Sequence, residues 1–177
     1  IIPVPVQSNY PLSSSQRRLW VLGQFEEGNV AYNMPGVYVF EGELDRTALE
    51  YSFQTLLERH EILRTVFKED ERGEIRQFIH SAEEIGFRIT YRDFRTEKEQ
   101  ETLVKKVIQA EFIKPFDLAS GPLLRAGLYQ LEDNKWVFTY TMHHIISDDW
   151  SIGILIKELL LLYNAYIQGE ENSLTPL

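Results

Sequence analysis

Met142-His143-His144-Ile145-Ile146-Ser147-Asp148-Asp149-Trp150-Ser151 is the stretch on which the reading of the fold turns. Before it, Trp136, Phe138, Tyr140 and Met142 alternate with Val137, Thr139 and Thr141, an aromatic and β-branched run that predicts a strand. After it, Ile152, Leu155, Ile156, Leu159 and Leu162 recur at helical spacing, and Gly169 marks a stop. A helix is expected from about Trp150 to Ile167. Carried through the strand, the alternation places His143 and His144 on opposite faces, one held inside and hydrogen-bonded, the other facing a cavity. Asp148 stands where the chain turns into the helix, a position suited to capping it or to pairing with a buried cation.

Strand and helix signals alternate on both sides of this junction. Ser13-x-x-Gln16 predicts a capping box opening a helix to about Gln24, and Asp45 is expected to cap a second helix carrying Leu49, Phe53, Leu56 and Leu57. Tyr32-Asn33-Met34-Pro35-Gly36 reads as a loop ahead of a strand from Val37 to Phe40. Leu63 to Phe67 and Ile75 to Ile79 flank Glu71-Arg72-Gly73 as a hairpin, and Phe87 to Tyr91 adds a strand. Thr96-x-x-Glu99 predicts a capping box for a helix to about Phe112, which Pro115 cannot continue. Leu123 to Leu131 and Trp136 to Met142 flank Asp133-Asn134 as another hairpin. The expected fold class is an α/β (α+β) sandwich, a mixed sheet flanked by helices, with 170–177 read as a linker.

Composition narrows the chemistry. At 177 residues the chain fits one domain with a sizeable core. A net charge of -9 argues against nucleic acid, since phosphate binding needs clustered Lys and Arg. With no cysteine, disulfides, thiolate metal sites and a cysteine nucleophile are excluded. The longest uncharged apolar run, Leu159 to Ile167, is too short to span a bilayer, and IIPVPVQSNYPL at the start lacks a basic leader. A soluble, cytoplasmic protein without a membrane partner is therefore expected. No metal is expected either, because His60 and His80 lie far from the motif in sequence and a metal needs three or four convergent ligands. There is no G-x-S-x-G elbow for a serine nucleophile. Two readings of the histidines remain: core residues beside a helix cap, or an imidazole that acts as base or orients an amine or alcohol against an acyl group.

Three separated segments resemble the condensation domains of nonribosomal peptide synthetases. Ser13-Ser14-Ser15-Gln16-Arg17-Arg18-Leu19-Trp20 is similar to that family's SxAQxRLW, with Ser15 where alanine is usual. Arg59-His60-Glu61-Ile62-Leu63-Arg64-Thr65-Val66-Phe67 matches RHExLRTxF throughout. MHHIISDDWS is similar to MHHxISDGWS, with Asp149 in place of the glycine. AYNMPG and KPFDLASGPLLRA fit between them.

The resemblance implies a chloramphenicol-acetyltransferase-like lobe, residues 1–177 being the N-terminal lobe of a condensation domain whose C-terminal lobe is absent. It implies an acyltransferase that forms peptide bonds between aminoacyl or peptidyl thioesters, with no cofactor bound directly. The substrates would be tethered to phosphopantetheine on donor and acceptor peptidyl carrier proteins, beside the C-terminal lobe and adjacent synthetase domains. YNMP with HHIISD is most similar to domains joining an L-donor to an L-acceptor. The alternatives are an inactive or binding-only lobe and a freestanding coenzyme A-dependent acyltransferase sharing HHxxxD. By the same resemblance His144 is the reacting residue and His143 its structural neighbour. Asp148 is expected to pair with Arg64. Asp149 is expected either to adopt the left-handed region at a cost of about 1 kcal/mol or to serve as the helix N-cap, with its charge impairing catalysis.

Overall fold

The computed structural model describes residues 5–25, 28–172, 174, 175 and 177. Residues 1–4, part of the segment read as lacking a leader, lie outside the described residues, as do Ser173 and Pro176 of the tail. In chain order the elements are β1 (Tyr10–Pro11), α1 (Ser14–Leu22), α2 (Gly28–Ala31), β2 (Asn33–Glu41), α3 (Arg46–Arg59), a 3-10 turn (Glu61–Arg64), β3 (Thr65–Glu69) and β4 (Ile75–Ile79). Then follow β5 (Ile89–Asp93), α4 (Gln100–Phe112), β6 (Leu124–Glu132), β7 (Lys135–His143) and α5 (Asp149–Gln168). The main sheet is mixed, in the order β2-β7-β6-β5, with only β5 and β6 parallel. A smaller antiparallel sheet runs β1-β4-β3.

Strand β7 is central to the main sheet and buried on both faces. Trp136, Phe138, Tyr140 and Met142 pack against Leu49, Phe53, Leu56 and Leu57 of α3 and Leu155, Leu159 and Leu162 of α5. On the opposite face Val137 joins Tyr129, Leu131, Phe94 and Val104 of α4. A strand covered on both sides carries no polar face, so Thr139, Thr141 and His143 are buried as well. The expected α/β sandwich with helices flanking a mixed sheet is the fold observed.

Local signals set most helix ends. Ser13 and Gln16 form the reciprocal capping box of α1, which ends at Leu22, and the Asp45 carboxylate accepts from the Ala48 amide at 3.0 Å. Gly169 ends α5 in the left-handed conformation, φ 67°, where a side chain would be strained. Helix α4 departs from expectation: it starts at Gln100, and Thr96 does not cap it. The segment ahead of it is committed to a turn, Glu97 N–H to Phe94 O at 3.0 Å, and Arg95 is held by Asp93 and Asp133, each at 2.7 Å.

The stretch Tyr32 to Gly36, expected as a loop, lies almost wholly inside β2. The His144 N–H bonds the Tyr32 carbonyl, so in this register the ladder bonds fall at even-numbered residues of the edge strand β2, and Pro35 deprives it of no donor. The Tyr140 ring lies directly over Gly36, where a Cβ would sit 2.3 Å from it. Helix α5 is longer than the run Leu159–Ile167 suggests: its 20 residues are, by length and composition alone, enough to cross a membrane. Yet its Leu155, Leu159 and Leu162 belong to the core, and Glu158 beside them accepts from Arg59 (3.1 Å) and contacts His60 (2.6 Å). The tail read as a linker returns to this corner, with Leu174 packed on the core and the Thr175 carbonyl accepting from Arg59.

Candidate active site

His143 ends β7 opposite Asn33 of β2, and its side chain is wholly buried. Its Nδ1 accepts the Ile145 N–H at 3.1 Å. An Nδ1 that accepts carries no proton, so the neutral ring carries its hydrogen on Nε2. Burial, with a smaller contribution from the neighbouring His144, pushes the His143 pKa down to about 4. The ring stands edge-on to Phe116, centroids 6.1 Å apart.

His144 begins the turn beyond the strand and is exposed. Its backbone N–H donates to the Tyr32 carbonyl at 2.9 Å, and the Ile146 N–H closes the turn on the His143 carbonyl at 3.0 Å. The His144 Nδ1 lies 2.7 Å from the Ser147 carbonyl oxygen, which can only accept. Nδ1 therefore carries a proton, and in the neutral ring Nε2 is the nitrogen that keeps a lone pair. A neutral imidazole oriented through one nitrogen, with the other free, is suited to accept a proton from a bound nucleophile. The opposite placement of the two histidines agrees with the strand alternation, although His144 itself lies past the last paired residue.

Asp148 is the N-cap of α5. It accepts from the Ser151 N–H at 2.8 Å, while its own N–H donates to Ser151 Oγ at 2.9 Å. The hydrogen bonds from the Ser151 hydroxyl and amide hold its carboxyl below the usual carboxylate range. The expected pair with Arg64 does not form. Arg64 instead donates to the carbonyls of Leu57 (3.0 Å) and His80 (2.6 Å) and lies 3.6 Å from Glu61, joining the end of α3 to β4. Its guanidinium is satisfied there, and the Asp148 carboxylate is occupied by the helix start.

Asp149 is the first residue of α5, and no residue other than glycine has a positive φ among the described residues. Neither the left-handed backbone nor the cap role expected for it is present, so what it adds at this place is charge. Its carboxylate contributes to raising the Tyr140 hydroxyl to about 12, after burial and the contacts with Tyr38. Trp150 is 81% exposed. Sequence reasoning missed the two backbone carbonyls that orient the His144 turn, since main-chain groups leave no residue-type signal. It also missed Ser151, although Asp148-x-x-Ser151 has the spacing of a capping box. Beneath the turn lies a hollow of about 160 Å³ lined in part by His60, Met142, Ile146, Ser147 and Ser151. No group of three or more metal-ligating side chains is present among the described residues.

The condensation-domain family model matches residues 6–177. The chain belongs to the condensation-domain family. It is 47% identical over 163 residues to gramicidin S synthase 2 of Brevibacillus brevis and 43% identical over 166 residues to malpibaldin synthetase of Mortierella alpina, covering 92% and 94% of this chain. The matches span only 4% and 3% of those relatives' own lengths. Among solved structures, the starter condensation domain of rhizomide synthetase superposes with a TM-score of 0.87 at 21% identity, covering 96% of this chain and 40% of that one. The X-domain from teicoplanin biosynthesis superposes with a TM-score of 0.83 at 28% identity, covering 99% and 36%. The fold of the present chain is therefore that of part of a condensation domain.

Proposed function

We propose that this chain is the N-terminal lobe of a condensation domain that forms peptide bonds in nonribosomal peptide synthesis, with His144 at the reacting centre. The carrying observation is the geometry of His144: Nδ1 is held on the Ser147 carbonyl at 2.7 Å, which leaves Nε2 as the accepting nitrogen of the neutral ring on an exposed residue. The acceptor amine attacks the donor thioester carbonyl, the C–N bond forms and the C–S bond breaks. The proton lost by the amine passes to His144 Nε2 and from there to the departing thiolate. Donor and acceptor arrive on phosphopantetheine arms of carrier proteins, a reading supported by the likeness to gramicidin S synthase 2 and malpibaldin synthetase. Tyr32 and Ser147 orient the base through their carbonyls. His143, buried and neutral, shapes the turn.

The test is single-turnover condensation by the complete domain, with this lobe in place, using loaded donor and acceptor carrier proteins. His144→Ala is expected to slow amide formation by about 10²–10⁴-fold with carrier-protein affinity retained. A rate within about twofold of the unaltered domain, against that expected loss, would remove His144 from the chemistry.

A further inference from the structure

Three buried side-chain atoms are left without hydrogen-bond partners at one corner of the main sheet: His143 Nε2, Asn33 Oδ1 and Arg125 Nε. His143 Nε2 is buried and unbonded, and the tautomer set by the Ile145 amide makes it a donor. Asn33 Oδ1 is likewise buried and unbonded, and it is an acceptor. The two residues are direct cross-strand partners in the β2–β7 register, so both side chains project from the same face of the sheet, with Cβ atoms about 5 Å apart. The Asn33 amide cannot simply be reversed to serve the histidine. Its Nδ2 donates to the carbonyls of Phe112 (2.8 Å) and Lys114 (3.0 Å), at the end of α4 where helix carbonyls lack intrahelical donors.

We propose that this corner holds an internal water molecule that accepts the His143 Nε2–H and donates to Asn33 Oδ1, making Asn33 a positioning residue for the His143–His144 turn. A buried donor and a buried acceptor without partners are what an internal water satisfies. The relay runs from the C-terminus of α4 through Asn33 and the water to His143, whose Nδ1 then stays free to accept the Ile145 N–H. That bond tightens the turn that presents His144. Arg125 belongs to the same corner, where its Nε is a second buried donor without a hydrogen-bond partner. It donates to the Lys114 carbonyl at 2.7 Å and stacks 3.7 Å from the Phe116 ring centre, while its Nε faces Glu111 at 3.8 Å. Only the consequence for catalysis rests on His144 as the reacting group; the water and the tautomer stand on the geometry of the corner alone.

The experiment is a high-resolution crystal structure of the 177-residue chain, with long-range ¹⁵N–¹H spectra of its histidines in solution. A density peak within hydrogen-bond distance of both His143 Nε2 and Asn33 Oδ1, together with an Nε2–H tautomer showing a water cross-relaxation peak, supports the proposal. A direct His143–Asn33 hydrogen bond, an empty corner, or an Nδ1–H tautomer overturns it. Asn33→Val and Asn33→Leu, which both remove the acceptor, should lose the water cross-peak. A signature unchanged in Asn33→Leu also overturns the role given to Asn33. If either variant fails to fold, the measurements on the unaltered chain decide.

Discussion

His143 and His144 are adjacent in sequence and opposite in state because the strand ends between them. The buried ring is held neutral down to about pH 4, whereas in the unfolded chain it titrates near 6.5. Between those values the unfolded state binds more protons, so stability is complete above about pH 6.5 and is lost as pH falls toward 4. The loss is on the order of 3 kcal/mol. His143→Asn offers an acceptor to the Ile145 amide but cannot titrate. Its urea midpoint should therefore fall less steeply from about pH 7 to about pH 4 than that of the unaltered chain, and parallel curves would refute the buried-imidazole account. Asp149 is argued at the same scale. With no backbone strain to relieve, Asp149→Gly removes a carboxylate five residues beyond His144, and under the proposed function condensation by the complete domain should speed up by on the order of tenfold. An unchanged or slower rate would show the carboxylate to be harmless.

Among the elements, the start of α5 depends on Asp148, and the turn before it depends on β2. Asp148→Ala leaves the Ser151 N–H without its acceptor and should lower Tm by about 2–4 °C, with Asp148→Asn recovering most of it. Because Arg64 bonds elsewhere, Asp148→Ala and Arg64→Met should be additive in a double-mutant cycle. Measured coupling between them would restore the ion pair. The element ends show what was legible. Ser13, Asp45 and Gly169 act on their own neighbours within a few residues, and their helices end near where the spacing predicts. Thr96 and the Tyr32 to Gly36 stretch depart from the local reading because distant partners decide them: Asp133 at the β6–β7 turn, and the Tyr140 ring lying on Gly36.

Across the whole molecule, α3 and α5 are joined by one partly buried charge cluster, in which Arg59 and His60 meet Glu158. Burial alone would raise the Glu158 carboxyl. The hydrogen bonds from His60 and Arg59 outweigh it and hold the group below its ordinary value. Glu158→Ala strands the Arg59 charge and should cost about 3 kcal/mol in urea unfolding, with the slope m unchanged. A cost below about 0.5 kcal/mol would mean that apolar packing alone holds the two helices. Arg59 and His60 both lie in the RHE segment that resembles the family, yet their partner lies 99 and 98 residues further along the chain.

Residue type and short-range spacing were enough for the alternation of elements, the caps at Ser13, Asp45 and Gly169, the family and the position of the two histidines. They were not enough for which ring nitrogen is free, for Asp148 capping α5 instead of pairing with Arg64, or for Asn33 facing His143. Those outcomes depend on backbone carbonyls and cross-strand partners, which are brought together only when the chain folds and β2 closes on β7.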